Sequence, residues 1–265
     1  MSSKSVQVLN SNAEGGGSIS VPWFMTAEVD QDLVKRVHSL MFQGWHQPQG
    51  RDPMAGKRTV AESWGVDLGV SRVPRISTGR AKFAPGTVKG RLGHPPRSVR
   101  SIRKKVNNRE RLLATLSAVS ATANPDLVKS RGHRLPDELK LPIVFDDSVI
   151  SISRTADAWA FLEKLGLSEE LKRASEFKDR SGSPRMRGRR RKAKVGPLFV
   201  VSPSPLVKAA RNIQGVGVVG PNELSIKELA PNGTPGRLVL WSQAALEVVE
   251  RRLNKVGEKA RVAVP

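Results

Sequence analysis

The side chains with the clearest chemistry are the arginines of the segment KDRSGSPRMRGRRRKAKVG, residues 178–196. Nine Lys/Arg residues lie between positions 178 and 194 against a single acid, Asp179, a net charge of +8. A guanidinium group binds two phosphate oxygens with a fixed fork of donors, which an ammonium group cannot do. Gly182 and Gly188 let the backbone approach a phosphate chain closely. The pattern predicts contact with nucleic acid; the alternative is a solvated surface loop or a patch resembling a nuclear-import signal.

A second basic segment runs from Gly44 to Lys105, with 14 basic and three acidic residues, a net charge of +11. Its central part, GRAKFAPGTVKGRLGHPPR, has no apolar periodicity and is rich in Gly and Pro. Such a segment buries too little apolar surface to offset the entropy of ordering it. Long structureless segments inside compact domains are usually functional. The sequence therefore predicts an insert that RNA orders, through phosphate neutralisation and stacking of Trp64 or Phe83 on bases.

These two segments carry +19 of the net charge of +21, so the rest of the chain is close to neutral. A protein this basic usually binds a polyanion, nucleic acid first and an anionic membrane surface second. No apolar run is long enough to cross a membrane. The N-terminus lacks the apolar region of a signal peptide, and together with the absence of cysteine this favours a cytosolic location.

Two features could belong to an enzyme. The stretch GVGVVG, Gly215–Gly220, has the glycine spacing of a dinucleotide-binding loop, but its apolar residues place the glycines within a strand. Asp146 and Asp147 follow a predicted strand, where α/β enzymes place catalytic acids, and they are equally the acids expected near a helix start. We expect the stretch GVGVVG to be a tightly packed strand, and Asp146 and Asp147 to lie at a helix start.

The four histidines, at positions 38, 46, 94 and 133, share no metal-ligand spacing, and no cysteine can assist them. We expect His38 to be partly exposed within a helix. His94 and His133 lie in basic, turn-rich contexts, which favours packing against RNA. No nucleophile-elbow, zinc-protease or P-loop motif occurs. We therefore expect no metal, no cofactor and no catalytic residue.

Two amphipathic helices are predicted around the basic insert. The first begins after Thr26 as N-cap and ends at Gly44 or Pro48. The second begins at Asn107 or Asn108 and ends near Pro125. Its expected buried stripe consists of Leu112, Leu113, Leu116 and Val119.

Short apolar strands alternate with helices in the second half of the chain. The strands are predicted at 141–145, 198–201, 216–219 and 238–241, and the main helices at 155–165, 206–212 and 242–253. This order predicts an α/β fold with a mainly parallel sheet flanked by helices, a Rossmann-like three-layer core with a long irregular internal loop extension. Residues 1–43 and 106–253 would form one globular domain, 44–105 a loop extension, 178–196 a second basic loop and 254–265 a tail.

Ten motifs occur in an order that resembles a known family. They are AESWG (61–65), RVPR (72–75), VKGR with HPP (88–91 and 94–96), NNRER (107–111), SAVSATA (117–123), LVKSRGH (127–133), RGRR (187–190), AARN (209–212), LAPNGTPGRLVLW (229–241) and the following SQAAL. Together they resemble universal large-subunit ribosomal protein four in its archaeal and eukaryotic form. The resemblance covers residues 21–253, nearly the whole chain.

The resemblance implies a non-enzymatic structural constituent of the large ribosomal subunit, ribosome-associated in the cytoplasm. Its partners would be large-subunit rRNA, neighbouring ribosomal proteins and the nascent peptide, with no membrane and no small-molecule substrate. The loop extension would run through rRNA and help to form the peptide exit tunnel. The alternative function is an α/β RNA-modifying enzyme with basic substrate-binding loops and a cofactor pocket near Asp146, Asp147 or Gly215.

The charge pattern and the resemblance together give a set of expected rRNA contacts. They are Arg51, Lys57, Arg58, Trp64, Arg72, Arg75, Arg80, Lys82, Lys89, Arg91, His94, Arg97, Arg103, Lys104, Lys105, Arg131, His133, Arg180, Arg185, Arg187, Arg189, Arg190, Arg191, Lys192, Arg211 and Asn212. The tip of the loop, as the resemblance implies it, comprises Arg72, Val73, Pro74, Arg75, Ile76, Arg80, Lys82 and Phe83.

Overall fold

The computed structural model describes residues 5–42, 46–102, 104–136 and 139–260, the last six of these by their backbone only. The chain divides into two compact units. The core unit comprises Met1–Met41 and Lys105–Pro265, and the insert unit comprises Phe42–Lys104.

The core unit contains eight strands and ten helices within the described residues. The strands are β1 (Ser5–Leu9), β2 (Gly15–Ser20), β3 (Ile143–Phe145), β4 (Phe177–Asp179), β5 (Arg191–Ala193), β6 (Leu198–Val200), β7 (Gly217–Val219) and β8 (Val239–Ser242). The helices are α1 (Gln31–Phe42, whose last residue belongs to the insert unit), α2 (Asn108–Ser120), α3 (Pro125–Ser130), α4 (Asp147–Ile150), α5 (Thr155–Lys164), α6 (Ser168–Ser175), α7 (Ser183–Met186), α8 (Pro205–Arg211), α9 (Ile226–Leu229) and α10 (Gln243–Ala260).

Six strands form one sheet in the order β2-β1-β3-β8-β6-β7. Every neighbouring pair is parallel except the antiparallel hairpin of β1 and β2. The apolar runs IVF, LFV and VLWS become central strands buried on both faces, as parallel strands covered by helices must be. The predicted α/β fold with a mainly parallel sheet is confirmed.

Alternate side chains of the central strands enter two separate cores. Val144 packs on one face with α1, α2, α9 and α10, whereas Ile143 and Phe145 pack on the other with α3 to α6 and α8. The sheet is thus the middle of three layers, and each layer of helices buries its own apolar cluster.

The first helix begins later than predicted. Residues Trp23–Met25 form a 3-10 turn, and the Thr26 hydroxyl donates a hydrogen bond to the Trp23 carbonyl, so Thr26 ends that turn. The N-cap of α1 is Asp30, whose Oδ1 accepts from the Leu33 N–H at 2.9 Å. His38 is buried rather than partly exposed, and burial lowers its pKa below the ordinary value.

The predicted buried stripe of α2 is correct at Val119, which is fully buried, while Leu112 and Leu116 are half-buried. Asn107 does cap the helix through the Arg109 N–H, but Leu113 is exposed while Ala114 and Ala118 are fully buried. Small side chains face the neighbouring elements because the helix packs closely against α9 and the turn at 23–25. Pro125 begins α3, and α10 continues to Ala260, beyond the predicted end at Leu253.

Candidate nucleic-acid interface

The basic segment predicted as a loop is a two-stranded antiparallel ribbon. Strands β4 and β5 pair with Phe177 opposite Ala193, Lys178 opposite Lys192 and Asp179 opposite Arg191. The Arg180 N–H donates to the Arg190 carbonyl at 2.8 Å and extends the pairing by one residue. The short helix α7 forms the tip, and residues 181–192 are all exposed. The ribbon, residues 176–195, therefore presents its arginines on a defined backbone.

Two arginines, the half-buried Arg173 and the buried Arg237, stabilise the point where the ribbon returns to the core unit. Arg173, near the end of α6, donates from Nη2 to the Val195 carbonyl at 2.8 Å. Arg237 donates from Nε to the Gly196 carbonyl at 3.0 Å. Because the ribbon leaves directly from α6, the bond from Arg173 joins its two ends.

Arg173 belongs to a buried cluster with Glu170 and His133. Its Nε and Nη2 bind the two carboxylate oxygens of Glu170 at 2.7 and 2.6 Å. His133 Nδ1 lies 2.7 Å from Glu170 Oε1, and His133 Nε2 accepts from the Leu238 N–H at 3.3 Å. These contacts assign the imidazole proton to Nδ1, which donates to the carboxylate. The Arg134 N–H completes the shell of Glu170 at 2.9 Å.

The electrostatics of this cluster favour a neutral imidazole beside an ionised carboxylate. Burial alone would raise the pKa of Glu170, but hydrogen bonds from Arg173 and His133 outweigh burial and lower that pKa below its ordinary value. Burial lowers the pKa of His133, and the hydrogen bond with Glu170 offsets this only in part. Arg173 therefore supplies the positive charge that balances Glu170.

Two expected RNA contacts are instead structural residues. His133 is buried and both of its ring nitrogens have protein partners, which leaves neither for RNA. Arg131 donates from Nη1 to the Thr234 carbonyl and from Nη2 to the Pro231 carbonyl, the latter at 3.1 Å. Burial lowers the pKa of Arg131 to about 10, so it stays cationic at neutral pH. Both side chains thus stabilise the core unit.

The insert unit has no helix or strand among residues 46–102, but turns and isolated bridges organise it. Arg75 bridges to both Glu62 and Ala81 through the backbone. Its guanidinium donates to the Gly79 carbonyl and to Ser71 Oγ, each at 2.9 Å. Arg75, one of the expected RNA contacts, thus also orders the turn around it through these intramolecular bonds.

Other basic side chains of the insert unit also have protein partners. The Lys82 ammonium donates to the Val88 carbonyl at 3.0 Å, and the Arg91 guanidinium lies 5.9 Å from the Phe83 ring centroid. Arg58 forms an ion pair with Asp52. A groove is lined by His94, Pro95, Pro96, Arg97, Val99 and Arg100.

The remaining expected contacts differ in exposure. Val73, Pro74 and Ile76 are half-buried, and Arg103 lies outside the described residues. Arg180 is half-buried as well. The exposed members are Arg51, Lys57, Trp64, Arg72, Arg80, Lys89, His94, Arg97, Lys104, Lys105, Arg185, Arg187, Arg189, Arg190, Arg191, Lys192, Arg211 and Asn212. The sequence prediction omitted Lys178, which is exposed and directly opposite Lys192. The alternation within FKD and RKA was the signal that could have identified it.

The features considered for an enzyme have structural roles. Asp146 caps α4 by accepting from the Asp147 N–H at 2.7 Å. A Cβ at Gly215 would lie 2.7 Å from the Ala174 Cβ, so this glycine allows close packing. Across the described ranges, no group of three or more metal-ligating side chains is present. In the same ranges, no helix has the length and apolar character needed to span a membrane.

Comparison with known proteins identifies the family. The model of the ribosomal protein L4/L1 family matches residues 19–252. A relative named large ribosomal subunit protein uL4, from Saccharolobus islandicus (strain M.14.25 / Kamchatka #1), is 42% identical over 256 residues, covering 95% of this chain and 96% of the relative. The proteins of the same name from Sulfolobus acidocaldarius (41% over 258 residues, covering 96% and 97%) and Sulfurisphaera tokodaii (44% over 240 residues, covering 89% and 90%) are similar. The chain belongs to the ribosomal protein L4/L1 family.

Proposed function

We propose that this chain is a structural constituent of the large ribosomal subunit and binds its rRNA. The family match and the names of the relatives support this role. They also identify a ribosomal structural protein rather than an enzyme, so the RNA-modifying alternative has no support. A place in the ribosome makes the cytoplasm the site of action.

The observation that carries the proposal is that, in a chain of this family, the positive charge is confined to two segments. The basic residues concentrate in the ribbon and in the insert segment, while the remainder of the chain is nearly neutral. Phosphate contacts supply sequence-independent affinity and are made by exposed Lys and Arg. The exposed arginines at 185, 187 and 189 and those at 51, 72 and 80 would bind the RNA backbone in this way.

The finer proposal concerns domain roles. The core unit would be a scaffold, and the insert unit would be an rRNA-binding extension whose segment 72–83 contacts the nascent peptide in the exit tunnel. Support comes from the resemblance of RVPR and its neighbours, and from the local order that Arg75 gives this segment. Neighbouring ribosomal proteins would contact the parts of the surface of this chain that rRNA does not cover.

Binding of the full chain to in vitro transcribed large-subunit rRNA from the same organism tests the proposal. Filter binding between 50 and 400 mM KCl should show tighter binding than to small-subunit rRNA, with log affinity falling linearly as log salt rises. Equal affinity for the two RNAs would contradict a specific place in the large subunit.

A further inference from the structure

The register of the ribbon sorts its charged side chains onto two faces. Successive residues of a strand point to opposite sides, and directly paired residues share a side. One face therefore carries Phe177, Asp179, Arg191 and Ala193. The other carries Lys178 and Lys192, and by continuation of the same pairing Arg180 and Arg190 beyond them. The ribbon is thus a two-sided surface.

The face with Phe177 is balanced within the protein. Asp179 and Arg191 are directly opposed and of opposite charge, and the Arg191 guanidinium lies 5.5 Å from the Phe177 ring centroid. Arg190 also donates a hydrogen bond from its Nε to Asp179 Oδ2, at 3.0 Å. The single acid between Lys178 and Lys194 is therefore already engaged by arginine.

The opposite face is left with uncompensated positive charge. Lys178 and Lys192 are exposed and directly opposed, an arrangement that destabilises a strand pair. The nearest acid on this side, Glu176, forms an ion pair with Lys194. The ribbon therefore holds like charges together at a cost that a bound anion would remove.

We propose that the lysine face, defined as Lys178, Arg180 and Lys192, binds the phosphate backbone of an RNA strand. This inference rests on the proposed function, and it adds a residue and an orientation that the sequence did not reveal. The exposed tip arginines at 185, 187 and 189 continue the cationic surface without an acid, which suits a polyanion longer than one phosphate. The Phe177 face is directed away from this strand.

The salt dependence of rRNA binding tests the lysine face. Full chain carrying both Lys178→Gln and Lys192→Gln is compared with wild type and with Lys172→Gln, a control at an exposed lysine of α6 that lies outside the ribbon and outside the expected rRNA contacts. Each lost phosphate contact lowers the slope of log affinity against log salt by about one, so the double variant should lose about two and the control almost nothing. Equal losses in both variants, or no loss in the double variant, would overturn the inference alone. Failure of the wild type to bind would overturn the proposed function and the inference with it.

A charge reversal gives an independent readout. Lys178→Glu creates a cross-strand ion pair with Lys192, so the Arg180 amide should exchange with solvent about two- to fivefold more slowly in the free protein. The same substitution should weaken rRNA binding and reduce its salt slope. If Lys178 had a purely structural role, slower exchange of the Arg180 amide would be accompanied by tighter rRNA binding. That result would overturn the inference. Stronger binding to an acidic peptide than to rRNA would also overturn it.

Discussion

The ribbon and the insert unit have the same kind of composition and different physical support. Both are rich in Arg, Lys and Gly, and both are mostly exposed. The ribbon is a paired backbone whose ends are joined through Arg173 and the buried cluster with Glu170. The insert unit has turns, two isolated bridges and guanidinium-to-backbone bonds, but no strand or helix in residues 46–102.

This difference indicates when each region loses its conformational entropy. The ribbon is ordered as the core unit folds, because its roots are hydrogen-bonded to buried side chains. The insert unit has few buried apolar contacts, so we expect most of the cost of ordering it to fall at the moment of binding RNA. A pre-ordered surface and an adaptable one would then bind RNA in different ways.

The largest effect is expected from Glu170→Gln, which tests whether the ribbon depends on the core. Among the described residues, Glu170 is the carboxylate that contacts both Arg173 and His133, and its own side chain is fully buried. Leaving a buried cation without its partner costs about 3 kcal/mol or more of unfolding free energy. Urea unfolding measures this loss. The control is Glu176→Gln at the exposed pair with Lys194, which should change stability little. Similar effects of the two substitutions would contradict the comparison.

Acid sensitivity of the core should follow from His133. Its folded pKa is lowered by burial, so below about pH 6.5 the unfolded chain binds a proton that the folded chain refuses. Unfolding free energy should therefore fall as the pH drops from 7 towards 5, by at most about 1.4 kcal/mol per pH unit from this residue. The Glu170 pKa is lowered as well, and its contribution disappears at still lower pH.

The variant His133→Asn isolates this contribution. Urea unfolding at pH 7, 6 and 5 should show a smaller pH slope in the variant than in wild type, although His38 keeps its own burial. If the pH dependence of the unfolding free energy is the same in the variant and in wild type, the His133 imidazole is not held neutral in the folded protein.

The smallest global effect is expected from Arg75→Ala in the insert unit. The substitution removes the bonds to the Gly79 carbonyl and to Ser71 Oγ. Limited proteolysis near residues 71–81 should become faster, while the unfolding free energy of the core unit stays within about 0.5 kcal/mol of wild type. Arg72→Ala, at an exposed neighbour, serves as the matched control. A large loss of global stability would show that the two regions do not differ in the way described.

The sequence predicted the central sheet because its strands are short, uninterrupted apolar runs between turn residues, as in LPIVF and LVLW. No strand was predicted at β1, where SVQVL alternates polar and apolar side chains. The sequence predicted a loop in place of the ribbon because charged residues carry little strand propensity. The bond that joins the ends of the ribbon, from Arg173 to Val195, links residues 22 positions apart in the chain. His133 appeared to face RNA because its partner Glu170 lies far away in the chain.

Sedimentation of the tagged protein from a cell lysate through a sucrose gradient, before and after a high-salt wash, tests the central claim most directly. The account predicts stoichiometric migration with the large ribosomal subunit that survives the wash, because a pre-ordered ribbon and an RNA-ordered insert are both bound within rRNA. A peak of free protein at the top of the gradient under both conditions would contradict it.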